Sequence, residues 1–487
     1  MFKNINCKNL PSLRRNIVYQ FLYELLIVFI PLFTIPYVSR VLGAENIGLF
    51  SYTYAVANYF VLFANLGIKN YGSRTIAMVR NNKEELNRNF SEILSIHIIF
   101  SIIVIFVYLV LLFFFVEDNL VIFLIQSIYV FAAVFDINWF FFGIEKFKLT
   151  VGRNTLVKIL SVFLVLVFVK TQTDLWIYAL ILALSVFVGQ SVVWFALKQY
   201  VSWRRPSWAN MKQHIRPLFV LFLPILALSL YKYMDKIMLG SISSNVQVGF
   251  YENAEKIINV PMSLIMAFGV VLMPRIANMV TSKDKGEVFK LIDMSMEAVM
   301  LLAIAISFGL AGISFVLAPI FFGYEFEECG ILIMGLAVTV PFMAFANVIR
   351  TQYLIPYKED KIFVVSLFLG AAVNLIVNII LIPYMAARGA VIGTIFAEII
   401  VCIYQSYFVR KKIFIKKYLL NTIPTILIGK VMFVFVFQIG NVMNINIVTL
   451  ILQLLVGMFI YAVGVFLLML KSRTRLMVLL RKFVVRY

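Results

Sequence analysis

Apolar runs long enough to cross a lipid bilayer recur along almost the whole chain, and this feature constrains the fold more than any other. A transmembrane helix needs about 20 predominantly apolar residues. By that rule we predict fourteen spans, separated by short polar segments. The residues are 63% hydrophobic and mean hydropathy is +0.97, well outside the range of a soluble domain. The sequence therefore predicts an all-α polytopic membrane protein. The predicted spans cover residues 17–39, 47–68, 90–116, 120–142, 154–170, 175–197, 217–239, 248–273, 291–318, 328–350, 362–382, 388–409, 418–439 and 446–470.

The distribution of basic residues predicts the orientation of these spans. With Met1 placed inside, most of the 43 Lys and Arg residues fall on the segments predicted to face the cytoplasm, as the positive-inside rule requires. We therefore expect both termini to be cytoplasmic. The net charge of +20 then reflects contact with anionic lipid, and nucleic acid is not an expected partner. The predicted outside segments hold Arg40, Lys170, Lys232, Lys236 and Arg388.

Two matches at one spacing indicate an internal duplication. Gly48 and Arg74 are separated by the same 26 residues as Gly249 and Arg275, and similar residues follow both glycines and both arginines. Inverted or parallel repeats are typical of membrane transporters. We predict two six-helix lobes and a final helix pair. The predicted segments are a cytoplasmic N-terminal segment 1–16, an N-lobe 17–200, a cytoplasmic linker 201–216, a C-lobe 217–412, a helix pair 413–470 and a basic amphipathic tail 471–487.

Charged residues within the spans are the main candidates for function, because burying charge in a membrane is costly. Lys232, Asp235 and Lys236 have spacings of three and four residues and share one helical face. Glu252, Glu255 and Lys256 repeat that spacing in the next span. Two interpretations remain open. The two faces form either a structural network of ion pairs or the charged wall of an aqueous cavity.

Candidates for substrate binding and for ion coupling follow from the same argument. Prolines in the opening spans of both halves add candidate hinges. The three cysteines and two histidines match no metal-binding spacing, and we find no nucleotide-binding loop or catalytic triad, so an enzyme is not expected. The candidates for substrate binding are Arg40, Lys69, Arg153, Lys158, Lys232, Lys236, Lys256 and Arg350; those for ion coupling or gating are Glu24, Asp136, Asp235, Glu252 and Glu255.

Several motifs resemble one transporter family. They are the stretch from Pro36 to Gly48, Asp235 to Gly240 with Val248 to Tyr251, Phe142 to Lys146 with Arg153 and Asn154, and Arg388 to Thr394 with Glu398. The chain resembles the polysaccharide-transporter branch of the multidrug/oligosaccharidyl-lipid/polysaccharide exporter superfamily, and within it the Wzx-type flippases of O-antigen and capsule repeat units.

The resemblance implies a bacterial inner-membrane flippase with alternating access and a cationic central cavity. Its implied substrate is an oligosaccharide on undecaprenyl pyrophosphate, moved from the cytoplasmic to the periplasmic leaflet. No cofactor is implied. An H⁺ or Na⁺ gradient is the candidate driving force for transport. A polysaccharide polymerase and a chain-length regulator are candidate partners beside the lipid bilayer. The alternatives are a multidrug or cation exporter of the same superfamily and a peptidoglycan-precursor flippase. The second is disfavoured because span 1 lacks a mid-span arginine.

Overall fold

The structure is a computed structural model that describes the backbone of residues 10–281, 285–471 and 476. Within these ranges, the side chains of residues 10–32 and of Phe147, Lys148, Tyr231 and Lys285 are outside the description. Every regular element in the described residues is helical. The α-helices are α1 Leu10–Asn65, α2 Ile68–Val79, α3 Lys83–Phe115, α4 Leu120–Val134, α5 Asn138–Gly143, α6 Phe147–Phe168, α7 Leu175–Leu197, α8 Trp208–Ile242, α9 Asn245–Thr281, α10 Lys285–Phe322, α11 Cys329–Ala337, α12 Thr339–Ile349, α13 Asp360–Met385, α14 Ala387–Val409, α15 Ile415–Val442 and α16 Ile447–Lys471.

These helices confirm the predicted fold class. Thirteen helical segments in the described part of the chain are long and apolar enough to cross a membrane, and the protein is a multi-pass membrane protein. Each predicted span from the second onward coincides with such a segment. The first predicted span lies in α1, but the side chain of Glu24 is outside the described residues. Most of the predicted basic tail is outside them too, and the orientation of the termini stays a prediction.

Two glycines allow the backbone to bend at the start of the chain. Helix α1 contains a kink at Gly43, whose φ of 78° and ψ of 172° are helix-breaking. Gly67 separates α1 from α2 with a φ of 71°, and a Cβ there would lie 2.8 Å from the carbonyl oxygen of Leu218. Side chains disfavour positive φ, so glycine is the residue type suited to both positions. The junction between the first two predicted spans, 17–39 and 47–68, is thus a bend at a single residue, without a loop.

The chain divides into two compact units, residues 1–233 and 234–487, and the division falls within α8. In unit 1, Phe90 stacks on Trp139 with ring centroids 5.5 Å apart, inside a buried aromatic core. In unit 2, α10 packs against α15 and α16 through Ile313, Met432 and Leu450. Close packing of this kind stabilises helix association in lipid, where the hydrophobic effect contributes little.

The predicted linker 201–216 is held on unit 1. Residues 208–216 are already the first turns of α8. The backbone N–H of Ser202 donates to Asn87 at 3.0 Å, and that of Arg204 donates to Ser91 Oγ at 2.9 Å. Both acceptors lie on α3, so the linker backbone has specific partners there.

A buried polar network completes this attachment. His214 Nε2 lies 2.9 Å from Glu92 Oε2, and His214 Nδ1 lies 2.6 Å from the Tyr71 hydroxyl. Asn210 donates to the other Glu92 oxygen at 3.0 Å. Glu92 and His214 are at most 3% exposed, although the position of His214 near a predicted span end suggests a surface residue. The network joins α2, α3 and α8.

The two histidines of the chain should respond oppositely to the same substitution. His214→Leu leaves the buried Glu92 carboxylate without its imidazole partner, and removing one member of a buried pair costs about 3–5 kcal/mol. His97 is also buried, but both its ring nitrogens are without a hydrogen-bond partner among the described residues. His97→Leu removes this unsatisfied group, so it should be neutral or stabilising. Thermal unfolding of both variants in detergent tests this, and equal destabilisation would contradict it.

Candidate functional site

A buried carboxylate in unit 2 is the centre of the candidate site. Asp235, on α8, is 4% exposed. Its Oδ2 accepts hydrogen bonds from the Tyr251 hydroxyl at 2.6 Å and from Thr394 Oγ1 at 3.0 Å. Its Oδ1 accepts from the Asn378 amide at 2.5 Å, and the Asn374 side chain also bonds to the carboxylate. Helices α8, α9, α13 and α14 each contribute to this group, called here the Asp235 cluster: Asp235, Tyr251, Asn374, Asn378 and Thr394.

The Asp235 cluster is rich in oxygen atoms. Carboxylate, hydroxyl and amide oxygens are ligands that hard cations prefer. The buried Asn378 Oδ1 has no hydrogen-bond donor among the described residues and lies close to Gly393, while the Asn378 amide nitrogen faces Asp235. Gly393 makes this close approach possible, since a Cβ at that position would lie 2.1 Å from Asn378 Oδ1. The arrangement can therefore bind a small cation or a proton.

A second charged group lies next to Asp235 in the sequence but faces other partners. Lys236 Nζ contacts Glu252 at 2.5 Å and Glu255 at 2.9 Å, and Lys256 Nζ contacts Glu252 at 3.1 Å. This Lys236 network (Lys236, Glu252, Glu255 and Lys256) joins α8 to α9. The Lys236 side chain is 9% exposed and that of Glu252 14%, so the pair is largely buried. Its two cations and two carboxylates balance in charge.

Arg350 lies at the start of a π-helical turn, Arg350–Leu354, in unit 2. Its Nη2 donates to Asn347 at 2.6 Å, and its guanidinium lies 5.4 Å from the Phe363 ring centroid. Glu398, on α14, interacts with it electrostatically. Short π-helical segments are frequent at functional sites. The partners of Arg350 lie on α12, α13 and α14, so its cationic side chain is held between helices.

In unit 1 the structure connects two candidates, Asp136 and Arg153, through a neutral side chain. Asn138 Nδ2 donates to Asp136 Oδ1 at 2.7 Å and to Gln190 Oε1 at 2.8 Å. The Asn138 oxygen accepts from Arg153 Nη2 at 3.1 Å. Asn138 therefore connects the carboxylate to the guanidinium. We call Asp136, Asn138, Arg153 and Gln190 the Asn138 cluster.

The other candidates whose side chains are described are more exposed to the surroundings of the protein. The side chains of Arg40, Lys69, Lys158 and Lys232 are exposed on the chain. The Lys232 ammonium lies 5.3 Å from the ring centroid of Tyr233, whereas Lys236, one turn further on, is buried. Spacing alone predicts a shared face for these two lysines, but it does not predict how deeply each is buried.

Sequence reasoning missed the neutral members of the Asp235 cluster. Asn374, Asn378 and Thr394 lie in helices about 140 to 160 residues beyond Asp235 in the chain. The available signal is the spacing of four residues between Asn374 and Asn378, which places two amides on one face of an otherwise apolar helix. Among the described residues, no group of three or more His, Cys, Asp and Glu side chains is placed to hold a metal ion.

Comparisons with known proteins identify the family. The model of the family described as "Polysaccharide biosynthesis protein" matches residues 13–280, more than half of the chain. A protein described as an O-antigen transporter in Shigella dysenteriae is 24% identical over 408 residues, which cover 81% of this chain and 99% of that protein. Its counterpart in Escherichia coli (strain K12) is 26% identical over 409 residues, covering 82% and 98%.

Solved structures agree at the level of the fold. The structure named lipid II flippase MurJ, in its inward closed conformation, superposes with a TM-score of 0.71 at 16% identity. The match covers 92% of this chain and 97% of that one. The relatives are named as transporters and flippases, which agrees with the expectation that this chain is not an enzyme. The resemblance seen in the sequence motifs is thus confirmed, and the chain belongs to the polysaccharide biosynthesis protein family.

Proposed function

We propose that this protein is a flippase that moves polyprenyl-diphosphate-linked oligosaccharide repeat units from the cytoplasmic to the periplasmic leaflet of a bacterial inner membrane. The product would supply the synthesis of an O-antigen, capsule or exopolysaccharide. The observation that carries the proposal is the match to two O-antigen transporters over about four fifths of this chain and nearly their whole length. The duplicated sequence supports alternating access, the usual mechanism of transporters built from repeats.

Cation binding at the Asp235 cluster would drive the cycle. The cluster offers one negative charge and several neutral oxygen atoms in a buried position. A buried carboxylate is more stable when a cation compensates its charge. We propose Na⁺ as the coupling ion, since hard cations prefer oxygen ligands, and H⁺ as the alternative, which needs Asp235 alone. Binding of the ion and of the substrate would be linked, and such linkage is reciprocal at equilibrium.

The lipid anchor of the substrate has a candidate contact within unit 2. A cleft of about 380 Å³ lies between α10, α15 and α16 and is lined almost wholly by apolar side chains. Gly309 and Gly457 line this cleft, and Met432 and Met458 give it a flexible wall. We propose that part of the polyprenyl tail lies here while the diphosphate and the sugars cross. Only the diphosphate and the sugars then need a polar route across the membrane.

The proposed transport is tested with the full-length protein in proteoliposomes. The probe is the lipid-linked repeat unit extracted from the source strain with its flippase gene deleted, and its appearance in the opposite leaflet is followed with a membrane-impermeant oxidant of vicinal diols. We expect protein-dependent movement that is faster with an inward Na⁺ gradient than without one. Vesicles without protein are the control. Movement of an organic cation such as ethidium, with none of the lipid-linked glycan, would favour the multidrug exporter and contradict the proposal.

Gly393→Ala should weaken cation binding without removing any ligand. The new methyl group would overlap Asn378 Oδ1, so that side chain must leave its position beside Asp235. We expect the Na⁺ concentration for half-maximal transport to rise roughly tenfold or more, the range seen when the support of a metal ligand is lost. Gly286→Ala is a matched control because a Cβ there meets open space. Equal Na⁺ dependence in both variants would contradict the assignment.

A further inference from the structure

We propose that the Asn138 cluster of unit 1, with Phe135 and Trp194 beside it, is a binding subsite for a neutral sugar ring of the transported glycan. This inference rests on the proposed function and adds to it the place where the sugar, as distinct from the diphosphate, is recognised. Four properties of the cluster support it: its charge balance, the geometry of its hydrogen-bonding groups, the aromatic rings at its edge, and its accessibility.

The charge balance of the cluster suits an uncharged ligand. Asp136 carries one negative charge and Arg153 one positive charge, while Asn138 and Gln190 are neutral. Asn138 lies between the two charged groups, with its amide nitrogen on Asp136 and its oxygen on Arg153. A diphosphate would require an excess of cations. A balanced set of polar groups does not provide that excess, but it can bind hydroxyl groups.

The hydrogen-bonding groups match the needs of sugar hydroxyls. Each hydroxyl both donates and accepts, and the planar side chains of Asp, Asn, Gln and Arg together supply both functions in fixed directions. The orientations here are set by the cluster itself: Asn138 holds Gln190 at 2.8 Å, and Arg153 Nε donates to Asn154 at 3.0 Å. Side chains already fixed by their neighbours lose little entropy when a ligand binds.

Aromatic rings lie next to the polar groups. Trp194 Nε1 donates to the carbonyl oxygen of Phe135 at 2.9 Å, and the two ring centroids are 6.1 Å apart. Phe187 packs against Phe135 at 5.3 Å. Apolar ring faces beside polar groups form a surface suited to an amphipathic ligand such as a pyranose ring.

The accessibility of the cluster distinguishes it from a purely structural clamp. The side chains of Asp136, Asn138, Arg153 and Gln190 are all partly exposed, as are Phe135 and Trp194. The Glu92–His214 pair, which fastens the linker, is by contrast almost completely buried. The partly exposed side chains of the Asn138 cluster are reachable by a ligand as large as a sugar ring.

The test compares two lipids that differ only in the sugar. The probes are the lipid-linked repeat unit isolated from the source strain and bare undecaprenyl diphosphate, each titrated against the purified full-length protein. In Asn138→Leu and Gln190→Leu we expect affinity for the sugar-bearing lipid to fall roughly tenfold or more, as when a buried hydrogen bond to a ligand hydroxyl is lost. Affinity for the bare lipid should stay within twofold of that of the unmodified protein.

Control variants separate recognition from folding. Ser191→Ala lies beside Gln190 on α7, and its hydroxyl bonds only to the Phe187 carbonyl among the described partners, so it should leave both affinities unchanged. Thermal unfolding of every variant identifies a loss of structure. Equal weakening of both lipids in Asn138→Leu, or no weakening of either in both leucine variants, would overturn the sugar assignment. If the unmodified protein binds neither lipid, the proposed function itself fails.

Discussion

Asp235→Asn is expected to reduce gradient-driven transport by roughly 100-fold or more. The substitution keeps the shape of the side chain but removes the one charge in the Asp235 cluster. Loss of a supporting partner alone costs 10–100-fold in metal affinity, so loss of the charged ligand should cost at least as much. The asparagine can still bond to Tyr251 and Thr394, and the fold should remain intact. Rates of glycan movement with and without a Na⁺ gradient measure the effect.

The control for this variant is Asp293→Asn. Asp293 is also a carboxylate in unit 2, but it pairs with Lys417 at 2.8 Å in a partly exposed position on α10. Its loss should change transport less than twofold, since partly exposed ion pairs contribute little. Wild-type transport by Asp235→Asn, with unchanged dependence on Na⁺ and on pH, would remove this cluster from the mechanism. A change in the pH dependence only would identify H⁺ as the coupling ion.

Lys236→Met is expected to destabilise unit 2 by about 3–5 kcal/mol, the usual cost of leaving a buried charge without its partner. Lys236 contacts two carboxylates, and its removal leaves Glu252 and Glu255 close to each other with Lys256 as the remaining cation of the network. We expect low protein levels in the membrane and a lower unfolding temperature. Immunoblots of isolated membranes measure the protein level, and fluorescence-detected thermal unfolding in detergent measures the unfolding temperature.

A second substitution should reverse most of this loss. Glu255→Gln in the Lys236→Met background leaves Glu252 paired with Lys256, so the network is again neutral. Recovery of the unfolding temperature in the double variant would demonstrate coupling between the two positions. Lys290→Met is the comparison, because Lys290 forms an exposed pair with Glu287, which should contribute less than about 1 kcal/mol. If the double variant is no more stable than Lys236→Met, the network does not balance charge as proposed.

The helices could be predicted from sequence because one physical requirement, the thickness of a bilayer, sets their length and composition. The pairing of Lys236 with Glu252 and Glu255 could be anticipated in part, since helical spacing puts these charges on facing sides of consecutive spans. The partners of Asp235 could not. Asn374 and Asn378 are neutral, and which distant helix packs beside α8 depends on the fold of the whole unit.

The spacing of residues in the sequence also does not determine which side chains meet, or how deeply each side chain is buried. Arg153 and Asp136 could be named from their charge, but their connection through Asn138 depends on a break between α4 and α5 inside the predicted span 120–142. His214 follows a stretch of polar and basic residues, yet it is enclosed by α2 and α3. Side chains at the ends of spans can be covered by a linker. The hydropathy of the sequence does not predict which of them are covered.

The scarcity of histidine has a practical consequence. Isotope labelling of this one residue type would give just two imidazole signals in a protein of 487 residues. The signal of His214 would report on the attachment of the linker to α3. The signal of His97 would report on the packing around the buried face of α3. Spectra recorded while ions or lipids are added could then locate a conformational change in either place, with no probe attached to the protein.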